Sequence, residues 1–391
     1  MRLFAGLPAE VRALTGVGFL VALGFGLVAP ALPLFAREFG VGAAAAGAVV
    51  SAFALARLAF APFVGKVVDR LGERRTLAAG IGIVAVSSAL AGLSQSYWQL
   101  LVLRGVGGIG SIMFSVAAAS LLVRVTPSHL RGRAQGMWAG SFLIGLVCGP
   151  AVGTIATFSL RLPFFLYAGT LLGAGTLGLL VLRRSELAAV GVARAAPLPL
   201  RSALRSPAYQ AALAAGFAGD FSLVGARSSL VPQYVTDHLG LASGWVYAPF
   251  LVVSIVSGAL LAPAGRLADT AGRRPVIAVG LLIGAAGLAL MPSLPTATGV
   301  ILGAVLIGVG AASDSVAPGA VMGDVVGSGG GTVVAVFQMA GDLGAVLGPV
   351  LCGLVVDHGG YTAALLVAAA VCLVPLLLLV RAPETLAPQQ T

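Results

Sequence analysis

The chain has 391 residues, of which 59% are hydrophobic and 9% charged, and its mean hydropathy is +1.04. A soluble globular protein carries about a quarter charged residues because its surface faces water, so this composition excludes a water-soluble fold. The formal net charge of +10 does not by itself indicate a nucleic-acid partner, because its meaning depends on where the basic residues lie.

Apolar stretches follow one another along the whole chain. Each is about as long as a membrane-spanning helix, which needs about 20 residues, and none alternates in polarity as a barrel strand would. We therefore predict an all-α membrane protein with twelve transmembrane helices, the first of them retained and not cleaved as a signal peptide. The predicted spans are 11–36, 42–64, 76–95, 98–123, 134–157, 162–182, 208–236, 242–264, 275–293, 297–322, 332–356 and 361–380.

The basic residues indicate the orientation of these helices. With a cytoplasmic N-terminus, most of the 23 lysines and arginines fall in cytoplasmic segments, whereas the outer loops contain Arg37 and Arg161. Both termini are therefore expected inside, and a nucleic-acid partner gains no support. Lys66 is the one lysine among these basic residues, a bias typical of GC-rich coding in a bacterium, which favours a bacterial inner membrane.

An internal duplication divides the chain. The break at 183–207 is rich in arginine and proline and separates a six-helix bundle at 1–182 from a second one at 208–391. Three motifs recur in the same order about 200 residues later, which indicates two pseudo-symmetric halves. The pairs are Gly65-x-x-x-Asp69-Arg70-x-Gly72-x-Arg74 with Gly265-x-x-x-Asp269-x-x-Gly272-Arg273, Gly108-x-Gly110 with Gly308-x-Gly310, and Gly145-x-x-x-Gly149-Pro150 with Gly344-x-x-x-Gly348-Pro349.

These motifs resemble those of the major facilitator superfamily, in particular its twelve-helix drug:proton antiporters. The resemblance implies two bundles that give alternating access to a central site, and a role in proton transfer for Arg104, which precedes Gly108 and Gly110 in helix 4. Two departures weaken the drug-pump interpretation. Thr154 replaces the last glycine of the helix-5 motif, and predicted helix 1 contains no acidic residue.

The repeated loop after helices 2 and 8 is expected to act as a conformational latch. Its glycines permit a tight turn, and a carboxylate suits a neighbouring helix N-terminus; the resemblance implies that the charges hold the bundles together on the cytoplasmic side. An ordinary charged loop would explain the arginines but not the repeated frame. The latch residues are Gly65, Asp69, Arg70, Gly72, Arg74, Gly265, Asp269, Gly272 and Arg273.

A stripe of small residues in helix 5, repeated in helix 11, predicts close packing of helix backbones. Glycines at every fourth position form one smooth face, and proline bends the helix. Plain helix packing and a gate that seals by such packing both fit. The helix-packing residues are Gly145, Gly149, Pro150, Gly153, Gly348 and Pro349.

Six charged residues lie inside predicted spans and are the candidate site. Each costs at least ~2.5–3.5 kcal/mol to insert, so it should face the protein interior or a polar cavity. Asp220 and Arg227 are seven residues apart and predicted to share a helix face, and we expect Asp220 or Asp342 to be the proton-coupling acid. Static buried ion pairs remain an alternative, because three acids match three bases. The six are Arg57, Arg104, Asp220, Arg227, Asp314 and Asp342.

The sequence thus predicts a secondary transporter, not an enzyme, that exports lipophilic or cationic small molecules in exchange for protons. It is expected to act as a monomer in contact with membrane lipid, without a cofactor or a metal. A metabolite or lipid carrier of the same fold, with or without proton coupling, is the first alternative. An intramembrane enzyme or receptor is disfavoured, because the three histidines lie outside the core and form no metal motif.

Overall fold

The computed structural model describes residues 8–126, 131–153, 159–182, 200–326 and 331–386, and within these ranges every regular element is a helix. Residues 183–199 of the predicted linker, and Thr154, lie outside the described residues. The helices, in chain order, are α1 (Ala9–Arg37), α2 (Ala43–Leu71), α3 (Glu73–Gly92), α4 (Tyr97–Val125), α5 (Arg131–Gly153), α6 (Leu162–Leu182), α7 (Leu200–Arg205), α8 (Pro207–Asp220), α9 (Val231–Gln233), α10 (Tyr247–Thr270), α11 (Arg273–Ser293), α12 (Ala297–Asp314), α13 (Ala317–Val326) and α14 (Gly331–Leu379).

The twelve predicted spans correspond to these elements once four irregularities are taken into account, of which the first is that α12 and α13 divide the tenth span, 297–322. Among the described residues, nine helical segments are long and apolar enough to cross a membrane, and α5 contributes a shorter apolar helix at Met137–Gly153. The 49-residue α14 contains two spans, because Gly360 interrupts it with a positive φ of 78°. The seventh span is broken into α8, a π-helix at Phe221–Leu230, α9 and a second π-helix at Tyr234–His238.

The chain forms two compact units. Unit 1 comprises Met1–Phe39 and Ala52–Ala193, and unit 2 comprises Gly40–Ser51 and Arg194–Thr391. In unit 1, α1 packs on α5 and α6, and α3 packs on α4 and α6. In unit 2, α11 packs on α12, while α14 packs on α8 and on the first π-helix. The first part of α2 thus packs with helices from the second half of the chain.

The internal duplication is visible in the local structure. Gly72 and Gly272, which precede α3 and α11, both have positive φ angles, 78° and 106°, a conformation that favours glycine. Ser96 caps α4 by accepting from the Gln99 N–H, and the corresponding Thr296 caps α12 in the same way. The repeat found in the sequence therefore reflects repeated structure.

Buried tyrosines of unit 2 satisfy their hydroxyl groups on backbone carbonyls. Tyr209 donates to the carbonyl oxygen of Val333 at 2.6 Å, and Tyr234 donates to that of Met291 at 3.0 Å. A buried tyrosine needs such a partner, and these two bonds tie the broken seventh span to α14 and α11.

Candidate functional site

Two of the predicted acids lie close together inside unit 2. Asp314, at the end of α12, packs against Gly219 of α8, and a Cβ added to Gly219 would lie 2.5 Å from the Asp314 Cγ. Asp220 follows Gly219 at the end of α8 and contacts Gly341 of α14 through its Oδ2. The two carboxylates interact electrostatically. Glycines on α8 and α14 thus provide the space that brings both acids into the same region.

Asp314 has an unsatisfied oxygen in this region. Its Oδ1 is buried, and no hydrogen-bond donor within the described part of the chain reaches it. A carboxylate in a low-dielectric interior is costly unless it is paired or neutralised, and a second acid nearby adds repulsion. The geometry therefore favours binding of a proton or another cation at Asp314.

Asp342 is half-buried in α14 and follows Gly341, the residue that Asp220 contacts. The acids predicted as alternatives for proton coupling, Asp220 and Asp342, are therefore near one another. Asp314, one of the six predicted charges but not one of the acids predicted to couple protons, is distinguished by its buried Oδ1, which has no hydrogen-bond partner among the described residues.

The prediction that Asp220 and Arg227 share a helix face is wrong. Residues Phe221–Leu230 form a π-helix, whose i→i+5 hydrogen bonds put more residues into each turn than the 3.6 of an α-helix. Seven residues then make fewer than two full turns, so the spacing does not place Asp220 and Arg227 on one face. The Arg227 guanidinium instead lies over the Phe250 ring, 5.0 Å from its centroid, and its buried Nε has no hydrogen-bond partner among the described residues.

Two further predicted arginines lie in unit 1. Arg57 of α2 donates to the hydroxyl groups of Ser111 and Ser115 in α4, at 2.8 and 3.4 Å. Arg104 of α4 is 5% exposed and lies 4.5 Å from the centroid of the Phe53 ring. Both arginines interact electrostatically with the buried Tyr167 of α6. The six predicted charges are thus divided between the units. Two arginines lie in unit 1, and the third arginine, Arg227, lies in unit 2 with all three acids.

The second copy of the latch motif forms a charged cluster. Arg273 pairs with Asp269 four residues earlier, and its Nε approaches Asp324 of α13 at 3.4 Å. Asp324 was not among the predicted site residues, and it also accepts a hydrogen bond of 2.8 Å from the Thr385 hydroxyl. Gly265 is half-buried in α10, and a Cβ added there would fit, because its nearest neighbour, Val316, would be 3.7 Å away.

Glu384 completes this cluster and was also missed. Its carboxylate accepts hydrogen bonds from the backbone N–H groups of Arg273 and Arg274 at the start of α11, and from those of Thr385 and Leu386. Partial burial acts to raise the pKa of Glu384, but these four N–H donors outweigh it and hold the pKa below its usual value. A Cβ at Gly272 would collide with this carboxylate, so the latch glycine is needed for the cap.

In the first copy, the structure describes an ion pair that the motif did not predict. Asp69 lies in α2, but its side chain is outside the described part of the chain. Arg70 is exposed and Arg74 is half-buried. The buried acid is Glu73, which pairs with Arg124 of α4 and accepts a hydrogen bond from the Ser120 hydroxyl at 3.1 Å. Glu73 aligns with Arg273, so the two copies use opposite charges at one position.

The glycine stripes lie at close helix contacts within each unit. In unit 1, a Cβ on Gly145 would lie 2.5 Å from the Phe19 carbonyl oxygen of α1, and one on Gly149 would lie 2.6 Å from that of Leu23. Pro150 is inside α5, and Gly153 ends it. In unit 2, a Cβ on Gly348, which precedes Pro349, would lie 2.7 Å from the carbonyl oxygen of Phe221 in the π-helix. The stripe in α14 therefore packs beside Asp220.

Comparison with known proteins identifies the family. The sequence model of the Major Facilitator Superfamily matches residues 14–262 and 228–391. The chain belongs to the Major Facilitator Superfamily. It is therefore a multi-pass membrane transporter and not an enzyme, and the family and the fold predicted from the sequence are confirmed.

Among curated members of the superfamily, the chain is 32% identical over 154 residues to the quinolone resistance protein NorA of Staphylococcus aureus (strain MRSA252), which is 39% of each chain. It is 31% identical over 169 residues to multidrug resistance protein 1 of Bacillus subtilis (strain 168), or 43% of each. The alignments thus span about two fifths of these relatives. The solved structure of the nucleoside transporter NupG matches 96% of this chain and 99% of its own with a TM-score of 0.73 at 14% identity, which shows the same fold.

Proposed function

We propose that the chain exports lipophilic or cationic small molecules across a bacterial inner membrane in exchange for protons, with Asp220 and Asp314 as the proton-binding pair. The observation that carries the proposal is the buried Asp314 Oδ1, which no donor in the described part of the chain reaches, beside a second acid in a membrane-spanning region. Similarity to two drug-resistance proteins supports the choice of substrate class.

Antiport follows from competition for the same negative charge. A proton bound at the acid pair removes the cost of a buried carboxylate, and a cationic substrate removes it as well. Because the buried Asp314 carboxylate needs one neutralising partner, binding of a cation favours loss of the proton, and binding of a proton favours loss of the cation. Alternating exposure of such a site to the two aqueous sides exchanges one for the other.

The other predicted residues have supporting roles in this proposal. Arg104, Arg57 and Arg227 shape the electrostatic environment, and Asp342 lies beside the pair. The Asp269–Arg273 cluster and the Asp69 loop act as cytoplasmic latches, and the stripes of Gly145, Gly149, Gly153 and Gly348 act as helix-packing gates. The two six-helix bundles, 1–182 and 208–391, work as one monomer in contact with lipid, with both termini in the cytoplasm.

The proposal is tested in proteoliposomes with an imposed pH gradient and ethidium, a fluorescent lipophilic cation. Wild-type protein is expected to move ethidium against its gradient, and an uncoupler is expected to stop it. Asp314→Asn and Asp220→Asn, which preserve shape but remove the charge, are expected to abolish this movement. Gly216→Ala is the matched control, because a Cβ there meets only the Phe337 ring at 3.4 Å.

Two results would contradict the proposal. Ethidium movement that is insensitive to the pH gradient in wild-type protein would exclude proton exchange with this class of substrate. Full proton-driven movement in the folded Asp220→Asn/Asp314→Asn double variant would show that the proton binds elsewhere.

A further inference from the structure

A small cavity lies beside Asp314, wholly inside unit 2. It is lined by the end of α8, the first π-helix, α11, α12 and the second part of α14, and its volume is about 40 Å³. A water molecule needs at least ~10–15 Å³ of such volume, so the cavity has room for about three or four. A site for a drug-sized molecule takes ~300–1,000 Å³, so this cavity is not the substrate site.

The cavity is lined by three polar side chains, those of Asp314, Ser222 and Cys372. The other lining residues are glycines and aliphatic residues. The Ser222 hydroxyl and the Cys372 thiol lie close to one another in the wall of the cavity. The buried Oδ1 of Asp314 has no donor among the described protein groups. Buried water needs two to four polar partners, and a carboxylate oxygen, a hydroxyl and a thiol supply them.

Glycines of α11 and α12 line the cavity. Close contact between the two helices requires a glycine at two of these positions but not at the third. A Cβ on Gly310 would lie 2.8 Å from the Gly280 carbonyl oxygen, and a Cβ on Gly280 would lie 2.5 Å from the Ser313 Cβ, so both are needed where the helices touch. Gly284 also lines the cavity, but a Cβ there would have a nearest neighbour 3.8 Å away, the Gly310 Cα. A glycine at this position keeps the cavity open without being required by helix packing.

We propose that this cavity is a water chamber that delivers the exchanged proton to Asp314 along a route separate from that of the substrate. A hydronium ion in the chamber transfers a proton to the Asp314 carboxylate: one O–H bond forms on the carboxylate, one O–H bond of the hydronium breaks, and a neutral water remains. The reverse step returns the proton to the chamber. The inference rests on the proposed function and adds the path of the proton.

The test fills the chamber without altering the acids. Gly284→Val places a branched side chain in the cavity, while Ala286→Val adds two methyl groups to an exposed position of the same helix. Both variants are reconstituted at equal amounts of folded protein. Two rates are measured with ethidium: movement driven by a pH gradient, and exchange of labelled for unlabelled ethidium at equal pH on both sides. The second requires the substrate path but no net proton transfer.

Gly284→Val is expected to slow proton-driven movement by about tenfold or more, which corresponds to ~1.4 kcal/mol in the barrier, and to leave ethidium exchange within about twofold of wild type. Ala286→Val is expected to leave both rates unchanged. If Gly284→Val does not fold, Gly284→Ala supplies a smaller change in the same direction.

Equal proton-driven rates in the Gly284 and Ala286 variants would overturn the chamber, while proton exchange by the wild type would stand. Equal losses of both rates in the Gly284 variants would also overturn it, because the cavity would then serve the substrate path or the general conformational change. Absence of proton-driven movement in wild-type protein would instead refute the proposed function itself.

Discussion

Gly219 is the residue whose substitution tests the geometry of the acid pair most sharply. A Cβ there would lie 2.5 Å from Cγ and 2.8 Å from Oδ1 of Asp314, so Gly219→Ala forces the carboxylate to move. Overpacking of this kind costs about 1–3 kcal/mol, whereas alanine in place of glycine favours a helix by about 1 kcal/mol. Gly216→Ala, on the same helix, gains the helix propensity of alanine without the clash.

We therefore expect Gly219→Ala to be less stable than Gly216→Ala by about 1–3 kcal/mol. The assay is thermal unfolding of the purified variants in detergent, together with ethidium movement driven by a pH gradient, which Gly219→Ala should impair. If the carboxylate causes the clash, Gly219→Ala should be nearly harmless to stability in an Asp314→Ala background, because contacting residues give non-additive effects. An equal penalty in both backgrounds would refute the contact between Gly219 and Asp314.

Three further predictions concern the charged clusters and the helix caps. Glu73→Gln, which removes the buried carboxylate charge that pairs with Arg124, should lower the free energy of unfolding by about 1.5–3 kcal/mol. Asp269→Asn, at a side chain 68% exposed, should cost about 0–1 kcal/mol, and equal effects of the two variants would contradict this. Because the pKa of Glu384 is lowered on folding, its charge stabilises the protein above the usual glutamate pKa of ~4.3 and loses that effect as pH falls through the lower folded value. The difference in melting temperature between wild type and Glu384→Gln should therefore shrink with acidification, and a constant difference would refute the cap. Asp357→Ala removes the carboxylate that accepts from the first two N–H groups of α2, at 2.9 and 3.0 Å, and should cost about 1 kcal/mol; an unchanged melting temperature would argue against that cap.

The sequence alone predicts the transmembrane helices and the duplication, because both depend on local composition. Hydropathy locates each span wherever a continuous apolar run is bounded by charge, and the latch glycines Gly72 and Gly272 recur with the same backbone conformation. The prediction loses detail where two spans join in one helix, as at Gly360, since a single positive-φ glycine separates them.

The candidate site could be predicted as a set of embedded charges but not as a geometry. The face-sharing argument for Asp220 and Arg227 assumed 3.6 residues per turn, and the π-helix at Phe221–Leu230 changes that periodicity. The importance of Asp314 depends on which helices pack around it. One signal was available, because Gly219 and Gly341 each precede an acid in a predicted span, and a glycine beside an embedded acid can mark space for a carboxylate from a neighbouring helix.

The partners of the latch charges could not be read from the motif. Glu73 pairs with Arg124 more than fifty residues later, and Glu384 caps α11 from beyond the end of α14. Ion pairs between distant segments depend on tertiary structure, whereas the motif reports only charges near each other in the chain. The motif thus contains the Asp269–Arg273 pair, whereas the pairing of Glu73 with Arg124 and the cap by Glu384 are visible only in the structure.

The central claim is that a substrate cation and a proton compete for the pair formed by Asp220 and Asp314. The most direct measurement is the number of protons released when ethidium is added to purified protein in weakly buffered detergent solution, followed with a pH-sensitive dye. Wild-type protein is expected to release protons on binding, and Asp314→Asn is expected to release none. Undiminished release from Asp314→Asn, or ethidium binding by wild-type protein without any release, would contradict the account.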